Sequence, residues 1–429
     1  MKRYVLIIVA GAIIVMSFVF RTGFLAYTMY ALMLLYLASW LMSAIWLRGI
    51  ECQREIYNTV VNISELVPVM LTVKNAQRLP MPWVFLDEWK PPNHVVQGET
   101  ARLHMFMPRQ EIHMMYNVRF LERGYHRLGP LTMETGDIFG LHRRFMVGAA
   151  RDYVTVLPRV IPIGEYDIGA RKPFGEIKFS HRIYEDPTRI AGVREYVPGD
   201  SFNRIHWKIS AATDQLHSKI YEPSVVRGAT IILDFHESGY QGTDGHTRAE
   251  LAVTSAASLA NFLFSAGEQV GYFTNGRDAA KRGIELKQAE IVGDRVAAQR
   301  IAGAERKSDI LHPFQVPTGR SSTQILSILE SLARTELTDG LSLAAALEAE
   351  YRRFRRDATL VMIVPEVSEQ LALTIGTLKS IGFSGVVFII KNPPGADAAC
   401  ELLVGYNVPV IEIDGEHSLH ALAFGEIPF

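Results

Sequence analysis

The sequence predicts a multi-domain protein: a transmembrane helical hairpin, an antiparallel β-sandwich, then a doubly wound α/β domain. Three observations carry that prediction. Residues 4–20 and 24–47 contain no charged side chain. Residues 50–160 break into short stretches of alternating polar and apolar residues, punctuated by Pro80, Pro82, Pro91 and Pro92. From Gly228 onward, short apolar runs alternate with stretches of helical periodicity. The parts so defined are 1–48, 50–160, a connector at 161–227, and 228–429.

The chain has 429 residues, room for two or three domains with sizeable cores. Its net charge of -1 supplies no global basic field, so nucleic acid is not an expected partner. Two cysteines, Cys52 and Cys400, lie far apart in sequence. They make neither a disulfide framework nor a metal-ligand spacing, which fits a reducing compartment.

About 20 apolar residues span a bilayer as a helix. Residues 24–47 are long enough, and 4–20 reach that length with flanking residues. Arg21-Thr22-Gly23 is a tight connection, so the two runs read as a hairpin. Lys2, Arg3, Arg48 and Arg54 flank it, and only Arg21 sits in the loop. The bias of positive charge then places both termini and the soluble domains in the cytoplasm. A signal peptide in residues 1–20 is the competing reading, but no small-residue cleavage site precedes the second apolar run.

In the next part, Val67–Val73 reads as a strand followed by a Lys74-Asn75-Ala76 turn. The prolines exclude a long helix. Val84–Trp89, Arg102–Met107 and Tyr116–Glu122 read as further strands. Short strands at this spacing argue for an antiparallel, Ig-like sandwich.

The connector holds the densest stretch of the chain, Arg194 to Glu222. Pro198-Gly199-Asp200 reads as a turn ending in a helix N-cap. A helix is expected over Ser201–Ala212, with Phe202, Ile205, Ile209 and Ala212 on a buried face. Arg204 and Lys208 share another face, beside Trp207. The segment Arg194, Glu195, Tyr196, Pro198, Gly199, Asp200, then Arg204, Ile205, Trp207, Lys208, Ser210 and Ala211 resembles the central motif of the domain of unknown function 58 family. Asn203 and Ala212 depart from it, each standing where an Arg is common. The stretch Arg123–Arg144 is similar to the same family, with Asp137, Phe139, Gly140 and Leu141 in their places and His126 where a Tyr is usual. Its glycines suit turns and bulges.

Beyond Gly228, strands are expected at Ala229–Asp234, Gln269–Phe273, Ala358–Val364, Gly385–Ile390 and Pro409–Ile413. Helices are expected at Arg248–Ala266, Ser322–Thr335 and Ser342–Phe354. This alternation means βαβ units in a mostly parallel sheet. Ligands of such sheets sit beyond the C-terminal strand ends, here Asp234, Thr274 and Pro365. Between Asp278 and Thr318 the pattern is weak, and surface loops with a short helix at Ala289 or later are expected.

The resemblance implies a von Willebrand factor type A-like domain here, which places D-x-S-x-S at the first strand end to bind Mg²⁺ or Mn²⁺ through oxygen ligands. This chain has Asp234, His236 and Ser238 at those positions. The second loop has Leu341 in the ligand place, with Thr338 and Ser342 nearby, and the third has only Glu366. The competing reading is a degenerate site whose Asp234 accepts backbone N–H groups of the next loop.

No Walker loop, no H-x-x-x-H pair on a helix and no G-x-S-x-G elbow occurs. The basic run Arg352–Arg356 suits the negative end of a helix dipole. The residues therefore point to an interaction protein rather than an enzyme. The resemblance implies an adaptor in the inner (cytoplasmic) membrane, multi-pass, working in envelope maintenance or complex assembly. Its implied partners are a MoxR-type AAA+ ATPase and a transglutaminase-like membrane protein. A divalent-metal-dependent enzyme or adhesion module acting through Asp234 is the alternative.

Overall fold

Alternation of buried and exposed residues builds the N-terminal part, as in the strand Leu66–Asn75, where every second side chain points into the core. The computed structural model describes residues 11–12, 15, 23–46, 49–90, 94–148, 151–163, 184–196, 205–213, 215–224, 228–281, 290–304, 312–356, 358–391 and 397–421. Two units form. One is Met1–Leu157 with Ala280–Ser308; the other is Pro158–Ala279 with Asp309–Phe429.

The first unit is a β-sandwich-like assembly. A four-stranded antiparallel sheet runs in the order Ile50–Ile56, Leu66–Asn75, Glu111–Phe120, His94–Gly98. A five-stranded sheet runs in the order Glu290–Val292, Arg143–Val147, Leu131–Gly136, Met81–Glu88, Ala101–Phe106. Leu71, Val73, Val84, Leu86, Phe106 and Met133 pack between them. The strand Glu290–Val292 and the helix Arg295–Gly303 come from the weakly patterned stretch far downstream. Their anchor is Arg127, a buried guanidinium that donates to the carbonyls of Ala302 (2.6 Å) and Ala304 (2.9 Å) and lies 4.3 Å from the Trp89 ring. A cation at the C-terminal end of a helix answers its orphan carbonyls and dipole.

The sandwich also encloses an ion network. Arg54 lies between Glu88 (2.5 Å) and Asp152 (2.6 Å), and the Tyr116 hydroxyl donates to Glu88. Both the Arg54 and the Glu88 side chains are fully buried. Gly129, at φ +76°, lies against this guanidinium, and a Cβ there would overlap it. Burial also pushes the Cys52 thiol up to about 12, so it stays protonated.

Among the described residues, no helix is long and apolar enough to cross a membrane. This corrects the transmembrane hairpin of the expected fold class and the multi-pass inner-membrane placement built on it. The apolar run 24–47 does form a helix, Gly23–Trp46. Its last part, however, belongs to the sandwich. Ser39, Ser43 and Trp46 are buried, Arg144 donates to the Ser43 hydroxyl (3.3 Å), and Gln77 donates to the Ile45 carbonyl (2.7 Å). Within the described helix, the part from Gly23 up to Ser39 is shorter than the about 20 residues a span needs. The run 4–20 lies almost wholly outside the described residues.

The second unit carries a six-stranded sheet. Its strands are β1 (Gly228–Leu233), β2 (Gln269–Thr274), β3 (Phe314–Gly319), β4 (Thr359–Val364), β5 (Gly385–Ile390) and β6 (Val410–Ile413). The order is β3-β2-β1-β4-β5-β6, parallel except for β3. The helices Gly245–Ser265 and Gln324–Arg334 bury one face with Ile231, Leu233, Leu251, Val253 and Ile328. The helices Leu343–Glu350 and Glu369–Ile381 bury the other with Ile232, Met362, Leu347 and Leu371. The chain direction across the sheet reverses between β1 and β4, which opens a crevice at their C-terminal ends.

Two predictions follow from the sandwich. Arg54→Ala leaves the buried Glu88 carboxylate uncompensated and costs about 3–5 kcal/mol, readable as a shifted denaturation midpoint. Asp137 accepts N–H groups of Phe139 (2.9 Å), Leu141 (3.2 Å) and His142 (2.5 Å) in a buried turn. Desolvation raises its pKa, but these donors outweigh it and hold the carboxyl below its usual value. A lowered pKa adds stability above the unfolded carboxylate value of about 3.9, lost as pH falls through the folded value. Asp137→Asn therefore destabilises near neutral pH, and its difference from the unsubstituted protein shrinks on acidification below that value. Denaturation curves across that pH window check it.

Candidate functional site

Asp234 directly follows β1, and its N–H still pairs with Ile363 of β4 (2.9 Å), so it stands at the reversal point. Its Oδ1 accepts two donors: the Asn275 side-chain amide (2.9 Å) and the His236 backbone N–H (3.2 Å). Withdrawal from water pushes the carboxyl above its usual range, while the Asn275 and His236 donors pull it back. Asn275, buried just past β2, also donates to the Leu341 carbonyl (3.1 Å) and accepts the Phe235 N–H (2.8 Å). One side chain thus joins three loops. Thr338 adds to this, bonding its N–H to the Phe235 carbonyl (3.0 Å) and its carbonyl to the Glu237 N–H (2.8 Å). Arg248 donates to the Pro365 carbonyl (2.8 Å) and draws in the end of β4.

The oxygens that the sequence put forward for a cation are committed elsewhere. His236 Nδ1 accepts the Ser238 N–H (3.3 Å) and lies 2.8 Å from the Ser238 hydroxyl. The Thr338 hydroxyl accepts the Gly340 N–H (3.1 Å), and the Ser342 hydroxyl caps the helix Leu343–Glu350 through Ala345. Glu366 is exposed. Among the described residues, no three His, Cys, Asp or Glu side chains group as a metal site. Mg²⁺ takes six oxygens, several of them water, and the protein must turn its own carboxylate and hydroxyl oxygens to one point to hold it. This donor set does not fit a Mg²⁺ or Mn²⁺ ion.

The central motif is built differently from its sequence reading. Strand Tyr184–Glu195 pairs antiparallel with His217–Ser224 in a two-stranded ribbon. Arg194 and Glu195 end the first strand, and Tyr196 extends the pairing to Leu216 (2.8 Å). The helix spans Trp207–Thr213 and starts later than expected, because Ile205 is extended and bridges to Ser218. Ile205 and Ser210 are buried, whereas Ala212 is exposed. Ser210 holds the helix to the ribbon by accepting the His217 N–H (2.9 Å). Trp207 is left 66% exposed, with Lys208 exposed beside it. Pro198, Gly199, Asp200 and Arg204 lie outside the described residues.

The structure therefore gathers Asp234, His236 and Ser238 at one strand end, and sets Trp207 and Lys208 on one short helix. Asn275 and Ser210 are the residues that sequence reasoning missed. Asn275 lies one position beyond Thr274, which was marked as a strand end. Ser210 matched the motif, but nothing in its spacing signalled a tie to the ribbon.

The model of the family described as Protein of unknown function DUF58 matches residues 192–289, from the ribbon past Asn275. Residues 192–289 therefore carry the signature of that family. It is 23% identical over 265 residues to the uncharacterized protein YeaD of Bacillus subtilis. That match covers 60% of this chain and 64% of the relative. Solved structures with some likeness include the SpRpn10 VWA domain, at 10% identity and a TM-score of 0.26, covering 46% of this chain and 94% of that one. Another is the pilus adhesin SpaC of Lactobacillus rhamnosus GG, at 10% identity and a TM-score of 0.30, covering 47% and 30%.

Proposed function

We propose that this chain is an interaction protein, an adaptor that docks a partner on the central motif. The observation that carries the reading is Trp207. An indole that stands 66% exposed on a short helix gains little for the fold. Trp is among the residues that most often anchor protein interfaces. Lys208 beside it supplies a charge for orientation, and charges near such an anchor act mainly on encounter and specificity. The helix itself is held firmly, since Ser210 and Ile205 fix it to the ribbon. A preformed anchor lowers the entropic cost of binding.

The first partner to test is the one the family resemblance implies, a MoxR-type AAA+ ATPase. A transglutaminase-like protein is the second. Enzymatic action through Asp234 gains no support from its surroundings, where the polar groups are occupied by one another.

The test is affinity capture of each purified candidate by the full-length chain, against Trp207→Ala and Lys208→Ala. Because Trp207 is exposed, its truncation is expected to change stability by no more than about 0.5 kcal/mol. The same substitution is expected to weaken partner binding by about 2 kcal/mol or more, roughly thirtyfold in Kd. Binding by the folded Trp207→Ala protein at undiminished affinity would contradict the docking surface.

A further inference from the structure

The crevice between β1 and β4 poses a physical problem of its own. A carboxylate withdrawn from water must be answered by a cation or by N–H donors. A divalent cation held by oxygen ligands from several loops would answer it and join those loops. Here the oxygens of Ser238, Thr338 and Ser342 are turned to His236, Gly340 and Ala345 instead. The loops are nonetheless joined, and the joining group is a side chain.

We infer that the Asn275 carboxamide takes the place of a metal ion at this strand end, so that the loops carrying Asp234, Thr338 and Leu341 are preorganised without a cation. The carboxamide suits the task because it offers both an acceptor and two donors. Its nitrogen meets the Asp234 carboxylate and the Leu341 carbonyl, and its oxygen meets the Phe235 N–H. Asn275 is 1% exposed, and Thr338 beside the same loops is fully buried. Asp234 itself is half-buried and Leu341 is exposed, so the amide ties the loops from the buried side of a strand end that still meets solvent. Ligand-bearing loops that a cation would have to assemble are already assembled.

Asn275→Asp sets a second carboxylate against Asp234, within hydrogen-bond distance. Like charges so placed repel, and a divalent cation relieves them. The exchange Asp234→Asn with Asn275→Asp restores one amide and one carboxylate across the same contact. It keeps the acceptor for the Phe235 N–H and loses the donor to Leu341 and the Oδ1 acceptor of the His236 N–H.

The experiment is thermal unfolding of the full-length chain at pH 8, in EDTA and in MgCl₂ or MnCl₂. The unsubstituted protein is expected to melt at the same temperature in all three. Asn275→Asp is expected to melt lower in EDTA and to recover part of that loss with Mn²⁺. The exchanged pair is expected to melt above Asn275→Asp in EDTA, without metal. A rise in the melting temperature of the unsubstituted protein with Mg²⁺ or Mn²⁺ would overturn the inference. So would an exchanged pair no more stable than Asn275→Asp. If Asn275→Asp gives no folded protein, the unsubstituted protein and the exchanged pair decide.

Discussion

A single hydrogen bond, from the Asn275 amide to the Asp234 carboxylate, sets what the α/β unit can do. It lies where the sheet reverses direction, the position at which such sheets place their ligands. A half-buried charge there is held by N–H donors. Because Asn275 answers it and also bonds to Phe235 and Leu341, the loops around the crevice are fixed. His236 and Ser238 then turn to each other, and Ser342 is spent on capping a helix. The loops at this strand end are thus tied by their own groups.

The sandwich unit follows a similar economy of charge. Arg54, Glu88, Asp152 and Tyr116 compensate one another inside it. Such a network adds little net stability when complete and is costly when one member is removed. Arg127 does related work with carbonyls, gripping the end of the helix Arg295–Gly303. By that grip the segment Ala280–Ser308, which interrupts the α/β unit in sequence, becomes part of the sandwich.

Strands were the most legible elements. The run at Ala229–Asp234 is mostly apolar, with Ile231, Ile232 and Leu233 in succession, because both faces of β1 are covered by helices, and it was readable for that reason. Gly385–Ile390 was readable to the residue. The antiparallel edge strand β3 and the strand Glu290–Val292 were not, and the helix Arg295–Gly303 was legible only as a short helix at Ala289 or later. Their burial is partial, and Ala298 and Ala302 are small, so no periodicity stands out. The uncharged run 24–47 was misread because composition registers apolarity and not what covers it. Trp46 and Ser43 are covered by the sandwich. At the candidate site, Asp234 was legible as an acid ending a buried strand. Asn275 was not, since a loop amide carries no pattern until the fold brings it to Asp234. The helix at Trp207 was placed too early because helical spacing at Ile205 coincides with an inward-facing strand position.

The most direct measurement is hydrogen exchange of the full-length chain, alone and with saturating MoxR-type ATPase, resolved to peptides across 184–224. The account predicts added protection confined to the Trp207–Thr213 helix and the paired ends of its ribbon, absent with Trp207→Ala. Protection of the loops at Asp234, Thr338 and Leu341 instead, with the Trp207 helix unchanged, would contradict it.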